Sequence, residues 1–74
     1  MGDFNSKNLE RFNGDDDPRA FVAFDGIIYD VSDNFSFRKN HKKILGKNVT
    51  GKMNKEKFLK FIDKNKFVPG KFVE

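Results

Sequence analysis

The feature that most constrains this chain is an Asp-Gly pair between two short apolar runs. Asp25-Gly26 separates residues 20–24 from residues 27–31, and both runs are rich in aromatic and β-branched side chains. Asp-Gly is a preferred sequence for the two-residue type I′ turn of a β-hairpin. We therefore predict an antiparallel hairpin. The predicted cross-strand pairs are Phe24 with Ile27, Ala23 with Ile28, and Val22 with Tyr29.

The predicted register also sorts the side chains of the hairpin onto two faces, because cross-strand partners share a face. Both faces are largely apolar, so we expect other parts of the chain to cover the hairpin on both sides. One face carries Val22, Phe24, Ile27, Tyr29 and Val31, and the other carries Phe21, Ala23, Ile28 and Asp30.

The clearest helix signature runs from Asn54 to about Asn65. Asn54 suits the N-cap position, where its side chain can accept a backbone N–H. Phe58, Phe61 and Ile62 recur at helical spacing on one stripe, with lysines around the rest of the surface. We expect these three side chains to be buried.

Two shorter helices and a C-terminal strand complete the expected fold. Ser6 can cap a first helix, and Ser32 or Asp33 can cap a second one. The apolar tail, residues 67–73, is expected to dock as a strand. The prediction is therefore an α+β fold with a small sheet, in a single domain spanning residues 1–74.

The chemical inventory argues against an enzyme. The chain has no cysteine and one histidine, His41, so it can form neither a Cys/His pair nor a cysteine-based zinc site. No nucleophile elbow surrounds a serine, and no glycine-rich phosphate loop is present. The acidic run 15–17 lacks the alternating pattern of a calcium loop, and a solvated loop is expected there. We expect a binding module.

Charge is distributed unevenly around a net value of +4. Residues 38–66 hold most of the basic side chains, with Glu56 and Asp63 as their only acids. This segment is either a face for an acidic redox or partner protein, or a solvated lysine-rich surface. The lysines do not follow a nucleic-acid-binding pattern, so no nucleic acid is expected.

No apolar run is long enough for a membrane span, and no signal peptide is evident, so we expect a cytoplasmic monomer.

His41 is the only histidine in the chain and the candidate metal ligand. Taken alone, it is either an ordinary surface histidine or a ligand of haem iron. A haem also needs an apolar pocket and cations for its propionates. The candidate apolar residues are Phe35, Phe37, Leu45, Phe58 and Phe61, and the candidate cations include Lys42 and Lys43.

The order of residue types in four segments resembles the cytochrome b5-like haem/steroid-binding family. Residues 9–14 (LERFNG) and 18–32 (PRAFVAFDGIIYDVS) resemble the family's leucine-bearing helix and its hairpin. Residues 41–50 (HKKILGKNVT) resemble its H-x-x-A-G-x-D-L-T segment, and residues 67–72 (FVPGKF) resemble its closing strand. The resemblance extends over almost the whole chain.

This resemblance implies short helices enclosing a ligand pocket against a small sheet, and it places His41 where the family has its first haem ligand. Short members often carry a second histidine in an A-P-H-G segment, whereas residues 53–58 hold none, and Asn48 replaces a usual aspartate. The implied function is a module for haem b with His41 as the single protein ligand of iron, serving electron transfer, haem carriage or sensing. The alternative is a haem-free member that binds a steroid-like or other apolar ligand, or a partner protein.

Overall fold

A computed structural model describes residues 3–63 and 65–73 of the chain. A three-stranded antiparallel sheet of order β1-β2-β3 lies among short helices, which confirms the predicted α+β class. No helix in the described part of the chain is long and apolar enough to cross a bilayer. In chain order the elements are α1 (Ser6–Leu9), β1 (Phe21–Phe24), β2 (Ile27–Asp30), α2 (Phe35–Asn40), a 3-10 helix (Lys42–Ile44), α3 (Lys55–Phe61) and β3 (Phe67–Lys71).

The predicted hairpin is confirmed in its turn and in its register. Strands β1 and β2 pair with Phe24 opposite Ile27, and the other predicted pairs follow from that one. Asp25 has a φ of 54° and Gly26 a φ of 81°, and a type I′ turn requires positive φ at both positions. The turn is tied to a distant segment, because the Asp25 backbone N–H donates to Oγ1 of Thr50 at 2.7 Å.

The tail forms the predicted strand, and loop segments cover part of both sheet edges. β3 pairs with β2 in an antiparallel manner. Beyond β1, the Val49 N–H donates to the Ala23 carbonyl at 2.8 Å, and the Ala23 N–H donates to the Lys47 carbonyl at 3.0 Å. Beyond β3, the Phe4 N–H donates to the Lys71 carbonyl at 2.7 Å. These bonds satisfy backbone groups that an edge strand would otherwise leave unpaired.

An apolar cluster covers each face of the hairpin, as the alternation of side chains predicts. Ile27 is the exception, since it lies on the predicted core face and is 43% exposed. We call the larger cluster the helix-side core; it contains Ala20, Val22, Phe24, Tyr29, Val31, Phe37, Leu45, Val49, Phe58 and Ile62. The smaller cluster on the opposite face contains Leu9, Phe21, Ala23 and Ile28.

The first two helices begin at caps other than those predicted. Asn5, and not Ser6, caps α1, and Asn34 caps α2. Each asparagine side chain accepts a backbone N–H from the first turn of its helix. Ser32 is used elsewhere, because its hydroxyl accepts the Ala20 N–H at 2.9 Å and so fastens the chain just before β1.

Helix α3 begins as predicted and ends early. The Asn54 side chain caps it by accepting the Glu56 N–H at 2.8 Å. The helix ends at Phe61, because Ile62 has the extended backbone angles φ −116° and ψ 135°. Lys64, which the prediction placed inside the helix, lies outside the described residues.

The predicted burial along α3 is right for two side chains and wrong for the third. Phe58 and Ile62 are buried at 0% and 4% exposure, whereas Phe61 is 51% exposed. Residues four apart lie on the same side of a helix, so Phe58 and Ile62 point together into the core. Phe61 is one residue before Ile62, a rotation of about 100°, and this turns its ring to the edge of the core.

Candidate functional site

His41 lies at the C-terminal cap of α2, with its imidazole between two aromatic rings. Its backbone N–H donates to the Phe37 carbonyl at 2.8 Å. The centre of the imidazole ring is 4.8 Å from that of Phe37 and 6.2 Å from that of Phe61. The side chain is half-buried, and no hydrogen bond or ion pair from a described residue holds it. A ligand at the imidazole would therefore displace no hydrogen bond from a described residue.

Three of the predicted wall residues are closed to a ligand. Phe37, Leu45 and Phe58 are 1%, 5% and 0% exposed and belong to the helix-side core. Phe58 stacks on Phe24 with ring centres 4.5 Å apart, and it meets Phe37 edge-on at 6.1 Å. Because their surfaces already contact other core residues, a flat ligand could reach these side chains only if the core opened.

The two other predicted wall residues are exposed, and they lie in different surroundings. Phe61 is next to His41, and half of its ring surface is available to a ligand. Phe35 is 73% exposed and lines a shallow hollow beside Lys39 and Lys42. The structure thus brings the rings of His41, Phe37 and Phe61 together, whereas Phe35 lines two hollows and has no ring contact with His41.

The predicted cations follow directly after His41. Lys42 and Lys43 begin the 3-10 helix, and both are exposed. Neither forms an ion pair with any residue in the described ranges. Arg38 is partly committed, since its NH1 donates to the Ser32 carbonyl at 2.8 Å. The two lysines, like Lys39, are therefore unpaired within the described residues and close to His41 in the sequence.

Of the residues expected to hold a haem, those that remain exposed around His41 do not form an enclosed slot. His41 contributes a half-buried imidazole, Phe61 contributes an apolar surface beside it, and two lysines that form no ion pair with a described residue follow. The expected inner walls are packed into the core. A porphyrin at this position would keep much of its surface in water, which favours weaker binding than an enclosed pocket does.

The acidic loop before β1 forms a local ion pair and hydrogen bonds within itself. Arg19 donates from NH2 to Oδ2 of Asp17 at 2.8 Å and from Nε to Oδ1 at 3.0 Å. These side-chain hydrogen bonds lower the pKa of Asp17 to about 2. Residues 3–63 and 65–73 contain no group of three or more His, Cys, Asp or Glu side chains arranged to hold a metal ion.

Sequence reasoning missed an apolar groove along β2 and β3. The groove has a volume of about 520 Å³. Two of its lining residues are strongly exposed, Ile27 at 43% and Phe67 at 58%. Their apolar character is visible in the sequence, but only the strand pairing shows that they line one surface. Tyr29, Val68 and Pro69 complete its apolar lining.

Comparison with family models and with curated proteins found no match to this chain. The resemblance to cytochrome b5-like domains therefore depends on the motifs in residues 9–72 and remains a prediction.

Proposed function

We propose that this chain is a haem-binding module of the cytochrome b5-like type, with His41 as the only protein ligand of the iron. The observation that carries the proposal is the half-buried imidazole, which has no hydrogen bond to a described residue and lies next to the exposed Phe61. The resemblance of residues 41–50 to the family's ligand segment supports the same assignment.

Each side chain near His41 has a role in this proposal. The neutral imidazole of His41 binds the iron, and Phe61 covers part of the porphyrin with an apolar surface. Lys42 and Lys43 pair with the propionates. The bound haem would supply an iron centre with one coordination position open to water or a small ligand. We expect a high-spin ferric spectrum, and a role in haem carriage or sensing more than in rapid electron transfer.

The test is to titrate haem into the wild type, His41→Ala, Phe61→Ala and Phe35→Ala. We expect saturable binding with a Soret band in the wild type, its loss in His41→Ala, and several-fold weaker binding in Phe61→Ala. Phe35→Ala is the matched control, because Phe35 is an exposed aromatic residue that lines a separate hollow. Circular dichroism establishes that each variant is folded before titration.

Melting temperature gives a second readout of the same binding. A ligand that binds only the native state stabilises it by RT ln(1 + [L]/Kd), about 2.7 kcal/mol when haem is at a hundredfold excess over Kd. Identical binding in the wild type and in His41→Ala, or no saturable binding at all, would show that His41 does not ligate haem.

The groove along β2 and β3 favours a second candidate function, the binding of an apolar small molecule without haem. Ile27 and Phe67 offer exposed apolar surface there, and Tyr29 lines the same groove. A steroid-like molecule is a rigid, largely apolar ligand of the kind that such a groove accommodates. The test is to measure binding of an apolar fluorescent probe to the wild type, Phe67→Ser and His41→Ala. The groove function is favoured over haem binding if the protein binds no haem and if probe binding is lost in Phe67→Ser but retained in His41→Ala.

A further inference from the structure

The hollow lined by Phe35 lies between the acidic loop and α2, and Lys42 is its only lining residue that also belongs to the proposed haem site. One side of the hollow comes from the loop before β1, and the other comes from α2 and the start of the 3-10 helix. Asn13 and Asp15 are on the loop side, and Phe35, Arg38, Lys39 and Lys42 are on the helix side.

The two sides carry opposite charges that do not pair with each other. We call Asp15, which lines the hollow, and its sequence neighbour Asp16 the acidic edge, and we call Lys39 and Lys42 the basic edge. None of these four side chains takes part in an ion pair with a described residue. The Asp16 carboxylate accepts one hydrogen bond, from Nδ2 of Asn13 at 3.3 Å. Both edges thus retain charge that a second molecule could neutralise.

Phe35 adds an apolar anchor to the hollow. It is 73% exposed, which is more than any other large apolar side chain in the described residues. It occupies the first position of α2. The other aromatic residue of this helix, Phe37, is buried, with 1% of its surface exposed. An exposed aromatic ring surrounded by charged side chains has the composition of a protein interface, in which aromatic anchors contribute much of the binding energy.

We propose that this hollow is the interface of a weak homodimer, occupied by a second copy of this chain across a two-fold axis, in place of the monomer expected from the sequence. A two-fold interface uses the same patch twice and must therefore be complementary to itself. Adjacent edges of opposite charge meet this requirement, because a two-fold axis between them sets the acidic edge of each copy against the basic edge of the other. The same arrangement covers both Phe35 rings.

Net charge opposes the dimer only weakly at physiological salt. Each copy carries +4, but repulsion between exposed charges is screened beyond a Debye length of about 8 Å. A standard interface covers about 800 Å² of each partner. This area would be a large share of the 5231 Å² that the monomer exposes, so we expect a smaller and weaker contact. An acidic partner protein is the competing occupant, and it would use the basic edge alone.

The test is a charge exchange followed by sedimentation velocity on the haem-free protein, from micromolar to millimolar concentration. Lys39→Glu/Lys42→Glu and Asp15→Lys/Asp16→Lys should each be monomeric where the wild type dimerises. An equimolar mixture of the two double variants should form a heterodimer, because the reversed edges complement each other. Lys57→Glu/Lys60→Glu is the control, since it changes net charge as much as the first variant but lies on α3, outside the hollow.

Phe35→Ser provides a test that does not alter charge. Because Phe35 is 73% exposed, the variant should stay folded while losing the dimer. A wild type that is monomeric at millimolar concentration overturns the proposal, as does dissociation in the α3 control or failure of the mixed variants to associate. Loss of the dimer in the basic-edge variant but not in the acidic-edge variant would point to some other anionic contact and also overturns it. None of these outcomes depends on haem.

Discussion

At the scale of single residues, Arg19 keeps the carboxylate of Asp17 ionised but adds little to the stability of the whole domain. Hydrogen bonds from the Arg19 side chain are the main cause of the low pKa of Asp17, and the Arg19 backbone N–H donates to the same carboxylate at 2.9 Å. The Arg19 side chain is 60% exposed, so water screens the attraction between the charges. The pair mainly orders the loop that leads into β1.

Replacing Arg19 by glutamine should raise the pKa of Asp17 from about 2 towards 3.8, the value of an unperturbed aspartate. Because the folded-state pKa is depressed, the stabilisation by the pair is complete above pH 3.8 and is lost as pH falls through about 2. An NMR titration of the Asp17 side-chain carboxyl carbon measures the change. Arg11→Gln is the control, and an Asp17 titration curve that is the same in both variants would contradict the assignment.

Gly26 is the residue whose backbone conformation most directly sets the hairpin. A Cβ at this position would meet no atom within 4 Å, so a side chain has room there. The positive φ of 81° is what disfavours residues other than glycine. Gly26→Val should destabilise the domain by about 1 kcal/mol or more, because a β-branched residue resists positive φ. Gly26→Asn should cost less, since asparagine tolerates this region. Equal unfolding free energies for the two variants in urea would argue against a conformational cause.

At the scale of elements, α3 shows how a short helix divides its aromatic residues between the core and the surface. Its seven residues provide only about two turns, so the isolated helix would be marginal in water. Packing of Phe58 against Phe24, Tyr29 and Phe37 therefore provides most of its stability. Phe61 is left at the boundary, where it lies beside His41.

Phe58→Ala should cost about 3–5 kcal/mol, a large fraction of the stability expected for a small domain. Phe61→Ala should cost about 1 kcal/mol, because half of its ring is already in water. Chemical denaturation of the two variants compares them directly, and Phe58→Leu serves if Phe58→Ala does not fold. Similar losses at both positions would mean that α3 packs with a different face towards the core.

At the scale of the whole molecule, β2 is the element that joins the parts. It pairs with β1 on one side and β3 on the other, and its residues contribute to both apolar clusters. Ile28 is fully buried on the face of α1, and Tyr29 is 7% exposed on the face of α2 and α3. Separation of either cluster from the sheet would expose apolar surface around β2.

Native-state hydrogen exchange should therefore be slowest for the hydrogen-bonded amides of β2. Each of these amides is exposed only when the strand that accepts its hydrogen bond, β1 or β3, separates from β2 and opens the apolar clusters, which requires a large part of the domain to unfold. The amides of α1, a helix of four residues, should exchange much faster through local fraying. NMR-detected exchange resolves the two groups. Exchange from β2 that is as fast as exchange from α1 would show that the sheet opens before the domain unfolds.

The sequence by itself determined the features that depend on neighbouring residues. Asp25-Gly26 specifies its turn through backbone conformation, and the turn then sets the register and the faces of both strands. Asn54 caps α3 through a hydrogen bond two residues away. Each of these interactions is complete within a few positions of the chain, so the local pattern was sufficient to predict it.

Only the tertiary structure decided how distant segments compete for the same surfaces. Phe61 turns outward because Phe58 and Ile62 occupy the core side of α3. Ser32 binds the chain before β1 and leaves the cap of α2 to Asn34. The expected walls of the ligand pocket, Phe37 and Phe58, pack on each other because burial against the sheet removes their apolar area from water. Long-range packing has no signature in local spacing, so the open face around His41 emerged only from the folded chain.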